Sequence, residues 1–204
     1  LRVEIEMQWY EDEVQAIERR RRAGRFPINA PVFYGSSSIR LWDTLGEDVD
    51  PAVVNLGFGG STLEACDYFF HRLIAPLKPS TLVVYAGDND LGDGRAPDHV
   101  AASFRSLAAK VAQLDPAPRF GFISIKPSPA RWGILDRIRA VNDSVLGDMA
   151  ACRDCFYIDV FPAMLGANGG PRPELFEPDG LHMNRAGYRL WSRLIRPYRN
   201  RIVA

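Results

Sequence analysis

Five short apolar runs, separated by longer stretches of helical period, constrain this chain more than any other feature. The runs cover 31–34, 52–56, 81–86, 119–125 and 156–160. They hold Val, Ile, Phe and Tyr with little polar alternation, the pattern of strands buried on both faces. Between them, apolar residues recur at spacings of three and four: Val3, Met7, Tyr10, Val14 and Ile17; Leu63, Cys66, Phe70 and Leu73; Val100, Phe104, Leu107, Val111 and Leu114. Ser61 and Glu64 read as a capping box for the second helix. Two more helices are expected over 132–149 and 184–196, and Pro197 discourages continuation of the last. Strand and helix in strict alternation imply an open parallel sheet with helices on both faces. With no repeat, low-complexity tract or linker, residues 1–204 read as one domain.

Composition removes several classes of function. Lys+Arg and Asp+Glu both number 25, so the formal charge is zero, which argues against a nucleic-acid or membrane-surface binder. No apolar run approaches the roughly 18 residues that span a bilayer. Three cysteines make no even-numbered framework, so reduced thiols are expected. That leans localisation towards the cytoplasm, with a removed leader left open because the chain does not begin with Met. Cys152 and Cys155 have redox or half-zinc-site spacing, but no second cysteine pair and no nearby His accompany them. Packing is the expectation there, and no metal site is assigned.

Ligands of such sheets bind beyond the carboxyl ends of the strands. Every polar signal falls on that rim. Gly35-Ser36-Ser37-Ser38 follows the first strand, Gly57-Phe58-Gly59-Gly60 the second, and Gly87-Asp88-Asn89-Asp90 the third. Lys126-Pro127-Ser128-Pro129 follows the fourth, and Asp179-Gly180-Leu181-His182 lies beyond the fifth.

The Asp179–His182 spacing lets a carboxylate accept from one ring nitrogen in a tight turn. The other nitrogen is left to take a proton from a nucleophile. His71 and His99 lie in helical segments with no suitably spaced acid, so His182 is the candidate base. A serine hydroxyl needs such a base, but composition alone does not choose among Ser36, Ser37 and Ser38. Glycines 57, 59 and 60 permit exposed backbone N–H groups, and Asn89 offers a side-chain pair, as an oxyanion requires. Phe58, Lys126 and Trp132 are placed to line a substrate pocket, with core or lid packing the competing reading. Arg40 is divided between substrate binding and an ion pair. Asp88 and Asp90 suit loop anchoring better than a cation site.

Taken together, these blocks resemble the SGNH hydrolases, also called GDSL esterases and lipases, named for a Ser, Gly, Asn and His in four separated blocks. The resemblance implies a flavodoxin-like three-layer α/β/α sandwich with a five-stranded parallel sheet. It assigns the nucleophile to Ser37, within Gly35-Ser36-Ser37, with Trp42 also matching. It assigns the oxyanion hole to the Ser37 and Gly60 N–H groups and the Asn89 side chain, and the base and its orienter to His182 and Asp179. Ser36 stands where the family usually has Asp. The implied activity is hydrolysis of short-acyl carboxylic esters through an acyl-enzyme, with no metal or cofactor. The implied partner is a small-molecule ester or, as the alternative, an acetylated carbohydrate. A non-catalytic flavodoxin-like binder of flavin or phosphate is the rival from another class. Oligomeric state is left open.

Overall fold

The computed structural model describes residues 6–203. Five strands, β1 (Val32–Gly35), β2 (Val54–Gly57), β3 (Thr81–Tyr85), β4 (Arg119–Ile123) and β5 (Cys155–Ile158), form one sheet in the order β2-β1-β3-β4-β5. Every pairing is parallel, with Val32 opposite both Val54 and Leu82. The principal helices are α1 (Glu11–Arg22), α2 (Leu63–Leu73), α3 (Pro97–Ala112), α4 (Leu135–Ala150) and α5 (Arg185–Ile195).

The period-2 geometry of the strands divides the core in two. Val32, Tyr34, Leu82, Val84, Phe120 and Phe122 point into one apolar cluster with the buried faces of α1 to α4. Phe33, Val83, Tyr85, Ile123 and Ile158 point into the other, against Tyr188, Leu190, Trp191 and Ile195 of α5. Both faces of the sheet are thus covered, which is why the strands read as unbroken apolar runs.

Local details depart from the sequence expectations. The N-cap of α2 is Thr62, whose hydroxyl accepts from Ala65 N at 3.0 Å, one residue beyond the Ser61 expected. Glu64 turns instead to Arg95, at 2.9 Å. Asn184 caps α5 by accepting from Ala186 N and Gly187 N. The helix expected from 132 begins as a 3-10 turn, Pro129–Ile134, before α4 proper. Val3, the first apolar position of the opening pattern, lies outside the described residues.

The cysteines require a correction. Cys152 and Cys155 form a disulfide rather than reduced thiols, and only the buried Cys66 is free. The turn between α4 and β5 brings their Cα atoms to 5.3 Å, within bridging reach. An odd total had hidden a local pair, and the lean towards the cytoplasm loses its premise. No helix among the described residues is long and apolar enough to cross a membrane.

Candidate active site

The reversal of strand order lies between β1 and β3, so a crevice opens at their carboxyl ends. Gly35 ends β1 at φ 135°, and a Cβ there would lie 1.9 Å from the Tyr85 carbonyl oxygen. Only glycine allows that approach. Ser36 N then donates to the same carbonyl at 2.9 Å, and the chain turns at once into a single helical turn, Ser37–Arg40. Asn55 fixes this turn from the side: its Nδ2 donates to Ile39 O at 2.6 Å and its Oδ1 accepts from Gly57 N at 2.9 Å. Ser36, at the position of the usual Asp, buries an Oγ with no hydrogen-bond partner. Backbone contacts, rather than a side chain at 36, hold the loop.

The turn points Ser37 Oγ at His182 Nε2, 3.1 Å away across a separation of 145 residues. His182 Nδ1 lies 2.6 Å from Asp179 Oδ2. The other carboxylate oxygen of Asp179 accepts from Leu181 N at 2.8 Å and His182 N at 2.9 Å. These bonds to the charged form, led by Leu181 N–H and then the His182 ring, lower the Asp179 pKa to about 2. With the carboxylate accepting at Nδ1–H, Nε2 is the nitrogen free to accept from a hydroxyl.

Gly60 has φ 69°, a conformation that suits glycine, and lines the crevice. Asn89 Nδ2 donates to Ser61 O at 3.2 Å, which leaves the second hydrogen of its amide unused. Asn89 N in turn donates to Asp88 Oδ1 at 3.2 Å. Asp90 anchors the same loop to α2, both its oxygens accepting from Leu63 N at 3.1 and 2.9 Å. Burial raises the Asp90 pKa to about 6, against the opposing pull of that N–H. Both aspartates therefore act as loop anchors.

Ser37, Gly60, Asn89 and His182 line one cleft of about 500 Å³, of ordinary size for a small ligand. Three sequence-selected pocket residues do not join them. Phe58 is fully buried among Tyr10, Tyr34 and Phe69, since its alternation on the strand-to-helix turn sends the ring inward. Lys126 is 2% exposed, folded under the Ser37 turn onto Asp88 at 3.1 Å. Trp132 is 40% exposed on the 3-10 turn and is not among the cleft-lining residues.

The opposite wall comes from the N-terminal segment, which the sequence reading did not place at the site. Trp9, Tyr10, Asp12 and Glu13 all line the cleft. Tyr10 OH donates to Gly60 O at 3.2 Å, and Glu13 Oε2 accepts from Gly59 N at 2.6 Å. Arg40 pairs with Glu13 at 3.2 Å, resolving its reading towards the ion pair while leaving it at the cleft edge. Nothing in local periodicity announces contacts made across 46 residues.

An all-parallel α/β sheet carrying a hydroxyl–imidazole–carboxylate chain on its carboxyl rim defines a recognisable class, the serine-dependent hydrolases of α/β architecture. This chain belongs to the GDSL-like lipase/acylhydrolase family, whose model matches residues 31–190, and is a hydrolase of the SGNH type. No curated protein sequence matches it. Among solved structures, a platelet activating factor protein from Streptococcus pneumonia superposes with TM-score 0.80 at 19% identity, covering 97% of each chain. A GDSL-like lipase from Bacteroides thetaiotaomicron gives 0.72 at 22% identity, covering 83% of this chain and 86% of its own. A carbohydrate esterase family 3 protein from Talaromyces cellulolyticus gives 0.64 at 17%, covering 81% and 94%. At such identities the likeness is one of fold.

Proposed function

We propose that the protein is a serine esterase cleaving short-acyl carboxylic esters through a Ser37-acyl intermediate. The observation that carries this reading is the continuous chain from Ser37 Oγ through His182 to Asp179, at 3.1 and 2.6 Å. Ser37 Oγ attacks the acyl carbonyl as its proton passes to His182 Nε2. Asp179 holds the ring by Nδ1–H and stabilises the imidazolium, remaining ionised itself. The oxyanion is received by the Ser37 and Gly60 N–H groups and the unused hydrogen of Asn89 Nδ2. His182 then protonates the departing alkoxide. Water, deprotonated by the same imidazole, releases the acid and restores Ser37.

The short-acyl preference is supported by the cleft lining, where Trp9, Tyr10 and Leu181 are the large apolar side chains and polar or glycine residues supply the rest. A long acyl chain finds no apolar channel among them. The test is a p-nitrophenyl ester series from acetate to palmitate. Turnover falling steeply beyond butyrate supports the reading, and a maximum at long chains overturns it. A fluorophosphonate must also label the wild type at Ser37.

A second reading of the alcohol side is favoured by Trp9, an indole 82% exposed at the cleft wall beside Asp12, Glu13 and Arg40. A flat aromatic face flanked by charged hydrogen-bonding groups suits the ring of an acetylated sugar. In this reading Trp9→Ala raises KM for an acetylated glycoside and leaves p-nitrophenyl acetate unaffected. Equal effects on both substrates would remove it.

A further inference from the structure

Lys126 is the one lysine among the buried residues described, and its surroundings account for every hydrogen it carries. Its Nζ donates to Ser38 Oγ at 3.1 Å, Tyr85 OH at 3.0 Å and Asp88 Oδ2 at 3.1 Å. An ammonium has three donors, and here each has its own acceptor. Burial alone would raise the Asp88 carboxyl, yet the Lys126 charge holds it below its ordinary value, so the pair is ionic. Buried ion pairs are poor devices for stability, because well-packed apolar residues do as well or better. Retaining one here calls for another reason.

The three acceptors supply it, since each belongs to a different part of the candidate site. Ser38 follows Ser37 in the one-turn helix. Asp88 precedes Asn89 and accepts from its backbone N–H through Oδ1, at 3.2 Å. Tyr85 closes β3, and its carbonyl receives Ser36 N at 2.9 Å. Lys126 itself stands on a fixed base, for Asn142 grips the preceding residue by both Ile125 N, at 2.8 Å, and Ile125 O, at 2.9 Å. From above, Tyr188 OH donates to Ser38 O at 3.1 Å and completes the enclosure.

We infer that Lys126 is a positioning residue that sets the distance between the Ser37 hydroxyl and the Asn89 amide. This rests on the esterase reading above. The ammonium never meets substrate. It draws the nucleophile turn and the oxyanion loop onto a common charged centre, in low dielectric where such bonds are strong. A displacement of 1 Å between reacting groups costs on the order of 100-fold in rate. Stabilisation of the acyl-transfer step is therefore what the ionic link provides beyond packing.

The test compares Lys126→Met, the double variant Lys126→Met/Asp88→Asn, and Ser38→Ala, by urea unfolding and by kcat and KM on p-nitrophenyl acetate. Lys126→Met leaves Asp88 buried and unpaired, so it loses both stability and rate. The double variant removes both charges and regains stability, while kcat stays about 10- to 100-fold below wild type with KM nearly unchanged. Ser38→Ala, which removes one acceptor and no charge, lowers kcat several-fold at unchanged KM. Full kcat in the stable double variant or in Ser38→Ala overturns the inference, because Lys126 is then only structural. A raised KM at unchanged kcat also overturns it, in favour of substrate binding. Failure of the fluorophosphonate to label wild-type Ser37 overturns the esterase reading itself, and a labelled wild type keeps the two failures apart.

Discussion

At the scale of single residues, the candidate site depends on hydrogens that point to where charge develops. Asn89→Ala removes one of the three donors proposed for the oxyanion and is expected to lower kcat by about 10² to 10³, measured on p-nitrophenyl acetate with KM as the control. Ser37→Ala and His182→Ala should each abolish nearly all turnover, with folding checked by circular dichroism. Asp90 supplies a pH-dependent prediction. Its folded pKa, about 6, lies above the ordinary carboxyl value. The native state therefore holds the proton more tightly, and the associated stability is full below about pH 4 and lost as pH rises through about 6. Urea midpoints of wild type and Asp90→Asn should accordingly draw apart between pH 4 and 7, with the wild type losing ground. Parallel curves would show that Asp90 is not the titrating group. Asp179 acts in the opposite sense: with its pKa lowered to about 2, its contribution persists until strong acid.

The loops that hold Ser37, Gly60 and Asn89 could be located in the sequence because apolar runs give way there to glycine, and His182 by its spacing from Asp179, while family resemblance picked out the individual Ser and Gly. The side chains just beside them could not. Phe58 and Lys126 occupy the same rim by number, yet packing turns one into the aromatic core and the other beneath the Ser37–Arg40 turn. Loop position predicts proximity to a site, while burial depends on neighbours distant in the chain.

At the scale of elements, the last helix was legible to within a residue, 184–196 against Arg185–Ile195, whereas α4 starts at Leu135 rather than 132 and the first helix runs Glu11–Arg22, and caps were harder still. Both Ser61 and Thr62 have the right chemistry for the start of α2, and only the extended backbone of Thr62 with its 3.0 Å bond to Ala65 N decides between them. Thr62→Ala should therefore cost about 1 kcal/mol in urea unfolding, whereas Ser61→Ala should not show a capping loss. The first helix packs on the sheet through Val14 and Ile17 and also reaches the glycine loop after β2, where Glu13 accepts from Gly59 N at 2.6 Å. Glu13→Ala frees Gly59 N and the neighbouring glycine turn, so kcat/KM on p-nitrophenyl acetate is expected to fall about tenfold, with a modest drop in melting temperature from the lost charge-assisted bond.

At the scale of the whole molecule, the parallel sheet separates two ends with different tasks. Chemistry-bearing loops gather at the carboxyl ends of the strands, and the Cys152–Cys155 bridge sits at the amino end of β5. The bridge closes so short a loop that chain entropy assigns it about 2 kcal/mol at most. Treatment with dithiothreitol should thus lower the urea midpoint modestly and leave kcat on p-nitrophenyl acetate unaltered. A rate that tracked the thiol state would reveal coupling between the two ends. Family resemblance implied a flavodoxin-like sheet of five parallel strands and alternation gave parallel strands under two helical layers, while the order β2-β1-β3-β4-β5 comes from the pairings themselves.

One wall of the cleft, from Trp9 to Glu13, precedes the stretch from 31 to 190 that the family shares. That wall is fastened to the shared stretch at its glycine turn, by Tyr10 on Gly60 O and Glu13 on Gly59 N, so a change in the leading residues is felt by the loop they clasp.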